Sequence, residues 1–301
     1  MISAAEFMQG SSLQNFGSGS VLVTFVITIV ALVFWAIVEW RNHRPQLAVL
    51  VISALLSCLG DAGASMLVML RAAPEVSGPV LYRAFDAEAT LVTSAPFPVY
   101  LSTVGYLAYR AFEQRWTRRR FWLVFSSIVF ADIAFEYLML RVFDLYSYAG
   151  NQTLQLFGLP LLWPMTYVAT SVLLGAVLYL LRRYLRGRRM LLAIPMLASG
   201  YLGFPLLLCW PALVALHADI GPVPRLIAGI AGVGCLVTTV YALTSLLDRT
   251  DVEPARGRVA YQGGPRVREQ SCGNPRCRYC GPARRTGVSP ALRRCHRRRT
   301  R

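Results

Sequence analysis

Seven long apolar runs dominate the sequence, and they constrain the fold more than any other feature. A helix rises about 1.5 Å per residue, so roughly 20 apolar residues are needed to cross the hydrocarbon core of a bilayer. Runs close to or above that length lie at 20–38, 47–70, 90–109, 121–141, 159–181, 190–216 and 223–247. Only 15% of the 301 residues are charged, against about 25% in an average soluble domain. We therefore predict an all-α, polytopic bundle of about seven transmembrane helices within residues 20–248.

The arginines predict how this bundle is oriented in the cell membrane. The connections after the first, third and fifth runs carry two, five and five arginines, whereas the alternate connections carry two, one and one. Because cytoplasmic loops are enriched in basic residues, this pattern predicts a multi-pass protein with its N-terminus outside and its C-terminus in the cytoplasm. The sequence contains no Lys, which excludes Schiff-base enzymes, retinal-binding opsins and Walker A phosphate loops.

Both ends of the chain differ in composition from the apolar runs. Residues 1–19 are rich in Ser and Gly and predict a flexible segment, while residues 249–301 carry 15 Arg against 3 acidic residues. We expect this tail to be disordered, cytoplasmic and held against anionic lipid headgroups, with no specific nucleic-acid partner. Its zinc-type side chains have imperfect spacing, so they form only a weak metal candidate and no cofactor is expected. They are Cys272, Cys277, Cys280, Cys295 and His296.

Three carboxyls lie inside predicted spans and are the first candidates for a functional site. Asp61 lies in the second span, and Asp132 and Glu136 lie in the fourth. Such a residue costs about 2.5–3.5 kcal/mol on insertion scales, so it normally faces the bundle interior. Residues four apart share a helix face, and two adjacent charges in a low dielectric repel, so one of the pair is expected to hold a proton. We predict Glu136 as a general acid and Asp132 or Asp61 as the stabilising base.

A structural interpretation of the same acids stays open at this point. Asp61 lies in a Gly-Asp-Ala-Gly sequence, where a packed carboxyl can bond a neighbouring helix. Glu136 can instead pair with Arg83 or Arg141 as a structural ion pair.

The region after the fourth span carries a more specific pattern. It comprises the segments Asp132–Glu136, Asp144–Gln152 and Gly158–Pro164, which read DIAFE, DLYSYAGNQ and GLPLLWP. This pattern resembles the spirocyclase AveC-like family of actinobacterial membrane proteins, over roughly residues 35–247. The resemblance implies a cofactor-free enzyme of polyketide secondary metabolism. Such an enzyme closes a lipophilic hydroxyketone to a spiroketal with loss of water, as a cyclase or dehydratase.

The same region supplies candidate substrate-binding residues. We expect four polar side chains to orient substrate oxygens at the mouth of the site, and two tryptophans to wall an apolar pocket. They are Tyr146, Tyr148, Asn151, Gln152, Trp163 and Trp210. Tyrosines and tryptophans also form interfacial belts, which is the alternative interpretation for the aromatic members of this set.

Two other functions stay open from the sequence. One is a terpenoid or carotenoid cyclase or hydratase, which uses the same acid chemistry on isoprenoid chains. The other is a proton-coupled small-molecule transporter, because Gly and Pro interrupt several spans, as in carriers with broken helices.

Overall fold

The computed structural model describes residues 11–73, 80–85, 87–185 and 187–248, and these are mostly helical. Within those ranges six helical spans are long and apolar enough to cross a membrane, so the prediction of a helical membrane bundle is confirmed. The orientation of the termini stays a prediction. The tail 249–301, with its cysteines and His296, lies outside the described residues. The helices are α1 (Ser11–Arg41), α2 (Gln46–Ser57), α3 (Asp61–Val68), α4 (Leu91–Ser94), α5 (Pro96–Glu113), α6 (Arg118–Tyr137), α7 (Leu162–Leu181), α8 (Ala193–His217) and α9 (Pro222–Asp248).

Two predicted boundaries require correction. Helix α1 begins at Ser11, so residues 11–19 are helical and do not belong to a flexible segment. The third predicted span corresponds to α5, which is only 18 residues long and falls outside the set of six apolar spans. Helix α5 packs mainly against α7 and α2, so several of its polar side chains face protein instead of lipid.

The connections contain short strands that the all-α prediction did not include. They are β1 (Leu70–Ala72), β2 (Val80–Ala84), β3 (Ala87–Thr90), β4 (Tyr146–Tyr148), β5 (Gln155–Leu156) and β6 (Leu159–Pro160). Strands β2 and β3 form one hairpin and β5 and β6 another, and β1 pairs antiparallel with β4. The β1–β4 pair joins the chain leaving α3 to the chain leaving α6, so it ties together the ends of the two spans that carry the acids.

The packing of α5 on α7 depends on glycines. A Cβ atom built at Gly175 of α7 would lie 2.4 Å from the backbone oxygen of Gly105 on α5. Small residues of this kind let membrane helices approach closely and gain van der Waals contact, because lipid supplies no hydrophobic driving force between helices. Helix α1 has a different environment, since Ile27 and Phe34 are 63% and 68% exposed, as expected for side chains that face lipid.

The second span is broken at Asp61. Helix α2 ends at Ser57, a 3₁₀ turn covers Cys58–Gly60, and α3 begins at Asp61. The Tyr82 hydroxyl from β2 bridges the break, since it donates to the Cys58 carbonyl at 2.8 Å and accepts from the Ala62 N–H at 3.2 Å. The Cys58 carbonyl also accepts from the Asp61 N–H, so Tyr82 adds a second hydrogen bond to that oxygen and ties β2 to the turn.

The fourth span is irregular beside its acids. After Tyr137, helix α6 continues as a π-helical segment, Leu138–Val142. Such segments are rare and are often found at functional sites, because they change which side chains face inward. Here the irregularity begins two residues after Glu136.

Candidate active-site cavity

All three span carboxyls line one narrow cavity between the helices. The cavity has a volume of about 80 Å³ and opens at one mouth. Asp61 is 1% exposed, and Asp132 and Glu136 are each 8% exposed. Apolar and aromatic side chains from α1, α3, α5 and α6 form most of the remaining wall. The aromatic part of this wall includes Phe97, Tyr100, Tyr146, Tyr167 and Tyr201.

Asp61 is held by hydroxyl donors at the break in the second span. Its Oδ2 accepts hydrogen bonds from Thr93 Oγ1 at 2.8 Å and Ser94 Oγ at 2.7 Å. Both donors belong to α4, whose start is fixed by a capping box between Thr90 and Thr93. Asp61 also occupies the first turn of α3, where the helix dipole stabilises negative charge. These contacts satisfy one oxygen of the carboxyl and fix its direction.

Glu136 is held by a pair of tyrosines from β4. Its Oε2 accepts from the Tyr146 hydroxyl at 2.6 Å and from the Tyr148 hydroxyl at 3.2 Å. Alternate residues of a strand lie on one face, so the Tyr-Ser-Tyr sequence delivers both phenols to the same carboxyl. Burial, with the neighbouring Glu136 charge, raises the pKa of Tyr146 and of Tyr148 well above the ordinary value. Both therefore remain neutral phenols whose O–H groups donate hydrogen bonds to Glu136.

Three polar atoms at the cavity have no partner in the part of the chain that the structure describes. They are Asp132 Oδ2 and the hydroxyls of Tyr100 and Tyr201. Tyr100 faces Asp132, close enough for a small movement to complete a hydrogen bond between them. A buried polar group without a partner costs about 1–3 kcal/mol, and such groups are few in native proteins. Their concentration at one cavity indicates that a ligand or water completes them.

The cavity carries no opposing positive charge. Among the described residues, none that lines it is basic. The two arginines that offered a structural ion pair for Glu136 are engaged elsewhere. Arg83 pairs with Glu88 at 2.6 Å, and Arg141 Nε donates to the Phe157 carbonyl at 2.9 Å. The ion-pair interpretation of Glu136 is therefore wrong, and the cavity suits neutral or cationic ligands.

The predicted substrate-binding residues have different environments in the structure. Tyr146 lines the cavity, but the Gln152 amide is used structurally, since its Nε2 donates to the carbonyls of Val68 at 2.8 Å and Ala149 at 2.9 Å. Trp163 donates its indole N–H to Gln152 Oε1 at 3.0 Å and lies in the core, 2% exposed. This chain of contacts fixes the 146–163 connection onto α3, so neither side chain is free to bind substrate.

Tyr148 bonds Glu136 without lining the cavity, and the last two members of that set lie away from it. Trp210 is 60% exposed on α8, and Asn151 is exposed in the connection after β4. Neither lines the cavity. Trp210 therefore does not form a pocket wall, and the interfacial interpretation stays a prediction.

Sequence reasoning missed the phenols of the cavity. Tyr100, Tyr167 and Tyr201 come from α5, α7 and α8, and Tyr167 interacts electrostatically with all three carboxyls. A tyrosine in an apolar helix is ordinary, so nothing distinguished these three from other aromatic residues. Their only common feature in the sequence is a position well inside a span.

No metal centre accompanies these carboxyls. In residues 11–73, 80–85, 87–185 and 187–248 no group of three or more His, Cys, Asp or Glu is arranged to hold a metal ion. The fold and cavity define a helical multi-pass membrane protein with a buried acidic site. Comparisons with family models, curated proteins and solved structures give no match for this chain. The resemblance to the spirocyclase AveC-like family stays a prediction from the sequence pattern.

Proposed function

We propose that this protein is a membrane-embedded, acid-catalysed cyclase and dehydratase that closes a lipophilic hydroxyketone to a ketal with loss of water. One observation carries the proposal: Asp132 and Glu136 lie on the same cavity but have different hydrogen-bond environments. Pairs of carboxyls in unlike environments divide the acid and base roles in many enzymes. The spirocyclase-like sequence pattern supports the same reaction class.

The hydrogen bonds favour roles that are the reverse of the sequence-based prediction. Two phenols donate to Glu136 Oε2, and such donors stabilise a carboxylate charge. Asp132 has Tyr100 as its neighbouring donor, but its Oδ2 accepts no hydrogen bond of ordinary length from the described residues, so it is available to carry a proton to a ligand. We assign Asp132 as the proton donor and Glu136 as the carboxylate that stabilises developing positive charge.

These roles account for each step of the proposed reaction. A substrate hydroxyl first adds to the ketone and forms a hemiketal. Asp132 then protonates the hemiketal hydroxyl, the C–O bond breaks, and water leaves. The resulting oxocarbenium ion faces Glu136, which stabilises it electrostatically. A second substrate hydroxyl forms the new C–O bond, and its proton returns to the Asp132 carboxylate, so the protein is unchanged.

The charge of the cavity limits the substrate. Three carboxyls without a basic neighbour disfavour phosphorylated or carboxylated ligands, so isoprenoid diphosphates fit poorly. The unpartnered polar atoms favour an oxygenated substrate over a pure hydrocarbon. A neutral, lipophilic polyol ketone satisfies both conditions.

Metabolite profiling of a deletion strain tests the proposal. The strain is complemented with wild type, with Asp132→Asn, or with Asp219→Asn as a matched control at an exposed acid. We expect a compound one water heavier than the product to accumulate on deletion, and only wild type and the control to remove it. General acids contribute about 10²–10⁴-fold, so Asp132→Asn should leave the precursor unconverted. An unchanged profile, or full restoration by Asp132→Asn at equal protein levels, would refute the proposal.

A proton-coupled carrier is the second candidate, and the break in the second span favours it. Transporters often bind substrates and coupling ions where a membrane helix is interrupted, and Asp61 lies directly after the 3₁₀ turn Cys58–Gly60. A carrier changes the distribution of a compound across the membrane and not its mass. In the same experiment, an unaltered set of masses with a shifted ratio inside and outside the cell would select the carrier.

A further inference from the structure

Two tyrosines at the cavity have no role in the proton transfer described above. Tyr201 of α8 is 2% exposed, and its hydroxyl has no hydrogen-bond partner among the described residues. The hydroxyl of Tyr100 on α5 makes no hydrogen bond of ordinary length either, although it faces the Asp132 carboxyl. Both line the cavity, and a buried hydroxyl that makes no hydrogen bond is unfavourable unless another molecule supplies the partner.

The two phenols belong to different parts of the cavity. Tyr100 interacts with Asp132 and Glu136, whereas Tyr201 interacts with Asp61 at the break in the second span. The Tyr201 ring is held against Phe97, with ring centroids 4.9 Å apart. This packing limits the movement of the ring, so its hydroxyl cannot easily turn to a protein partner. The two hydroxyls are therefore suited to two separate atoms of one ligand.

The neighbours of each phenol determine what it can bind. The hydroxyls of Thr93 and Ser94 already donate to Asp61 Oδ2, so they are not available to a ligand. The O–H group of Tyr201 is the donor that remains available near Asp61. A donor in an acidic cavity without basic lining selects an uncharged acceptor such as a carbonyl or ether oxygen. Tyr100 lies beside the unpartnered Asp132 Oδ2, so this pair offers a donor and an acceptor, which matches a hydroxyl group.

We infer that Tyr201 binds a carbonyl or ether oxygen of the substrate, while Tyr100 together with Asp132 binds a hydroxyl of the same molecule. This inference rests on the proposed function in taking the cavity as the substrate site. It adds two specificity-determining residues and the requirement that the ligand carries two oxygen functions held apart.

Ligand binding by the full chain in detergent tests the inference without turnover. The probes are nonan-5-one, nonan-1-ol and nonane, and Kd is obtained from the ligand-dependent shift of the thermal unfolding midpoint. We expect Tyr201→Phe to raise Kd for nonan-5-one about tenfold, the effect of one lost hydrogen bond, and to leave nonane unchanged. Tyr100→Phe should weaken nonan-1-ol instead. Tyr241→Phe, at a phenol that is 59% exposed on α9, is the matched control.

A second readout separates a binding role from a structural one. Removing an unpartnered buried hydroxyl should raise the unfolding midpoint of the ligand-free protein, whereas removing a structural hydroxyl lowers it. A lowered midpoint with unchanged affinity for nonan-5-one would overturn the assignment of Tyr201. Equal binding of all three probes in wild type would overturn it as well.

The outcome can be distinguished from failure of the proposed reaction. Conversion of the precursor from the deletion strain is measured on the same protein samples. Ketone binding that depends on Tyr201 in a protein that forms no product would overturn the catalytic proposal alone. Product formation with a Tyr201-independent ketone affinity would overturn the specificity assignment alone.

Discussion

Replacing Tyr146 by Phe removes the shorter of the two hydrogen bonds to Glu136 and changes nothing else in the side chain. The O···O distance is 2.6 Å and Tyr146 is 8% exposed, so the bond is short and shielded from water. Hydrogen bonds to charged groups contribute about 1.5–3 kcal/mol, which corresponds to a loss of about 10- to 150-fold in kcat/KM if Glu136 stabilises a cationic transition state. The Tyr148 bond is longer, at 3.2 Å, so Tyr148→Phe should cost less, about fivefold.

The assay is conversion of the precursor isolated from the deletion strain by purified protein. Tyr137→Phe, at a neighbouring phenol that is 41% exposed, controls for the substitution itself. A double-mutant cycle with Glu136→Gln isolates the interaction, because Tyr146→Phe should have a much smaller effect once the carboxylate is absent. An equal loss in both backgrounds would show that Tyr146 acts independently of Glu136 and would refute the reasoning.

Three further predictions follow from the fold. Gly175→Val should lower the unfolding free energy by about 1–3 kcal/mol or more, because a Cβ at this position lies 2.4 Å from the Gly105 backbone oxygen. Gly234→Val should be tolerated, because no described atom lies within 4 Å of a Cβ built there. Thermal unfolding in detergent compares the two variants. A reporter fused after residue 248 should be active only if it is of a cytoplasmic type, and activity of a periplasmic reporter there would contradict the arginine-based orientation. Because their pKa values are raised, Tyr146 and Tyr148 should remain protonated and donate hydrogen bonds up to pH 10. Tyr→Phe variants at these two positions should therefore leave the tyrosine absorbance titration below pH 10 unchanged.

The spans and their acids were accessible from the sequence because both are governed by the cost of polar groups in hydrocarbon. A long run of apolar residues can form little other than a membrane helix, and an acidic residue within it has to face the interior of the helix bundle. These signals are local, so they do not depend on knowing which helices are neighbours. The contact of Tyr146 and Tyr148 with Glu136 was not predicted, because it depends on the strand β4, which the all-α prediction did not include.

The features that could not be predicted depend on contacts between distant segments. The break at Cys58–Gly60 is stabilised by Tyr82 and by close packing on Leu202, whose Cδ1 lies 2.8 Å from a Cβ built at Gly60. Trp163 was assigned to a pocket wall, but its N–H is used by Gln152, a contact visible only in the folded connection. Tyr201 gave no signal because a phenol in an apolar helix is ordinary until its neighbours are known.

Because of the short β1–β4 pair, the site depends on whether an odd or an even number of residues is inserted into the connection before Tyr146. Ala72 lies opposite Tyr146 and Leu70 opposite Tyr148, so both phenols reach Glu136 only in this register. A shift by one residue turns every side chain of a strand to the other face, and a shift by two restores the face. One residue inserted between Val142 and Tyr146 therefore removes both donors at once, while two inserted residues let the strand present phenols on the original side. In related chains that keep both tyrosines, we expect the length of this connection to differ from the present one by an even number of residues.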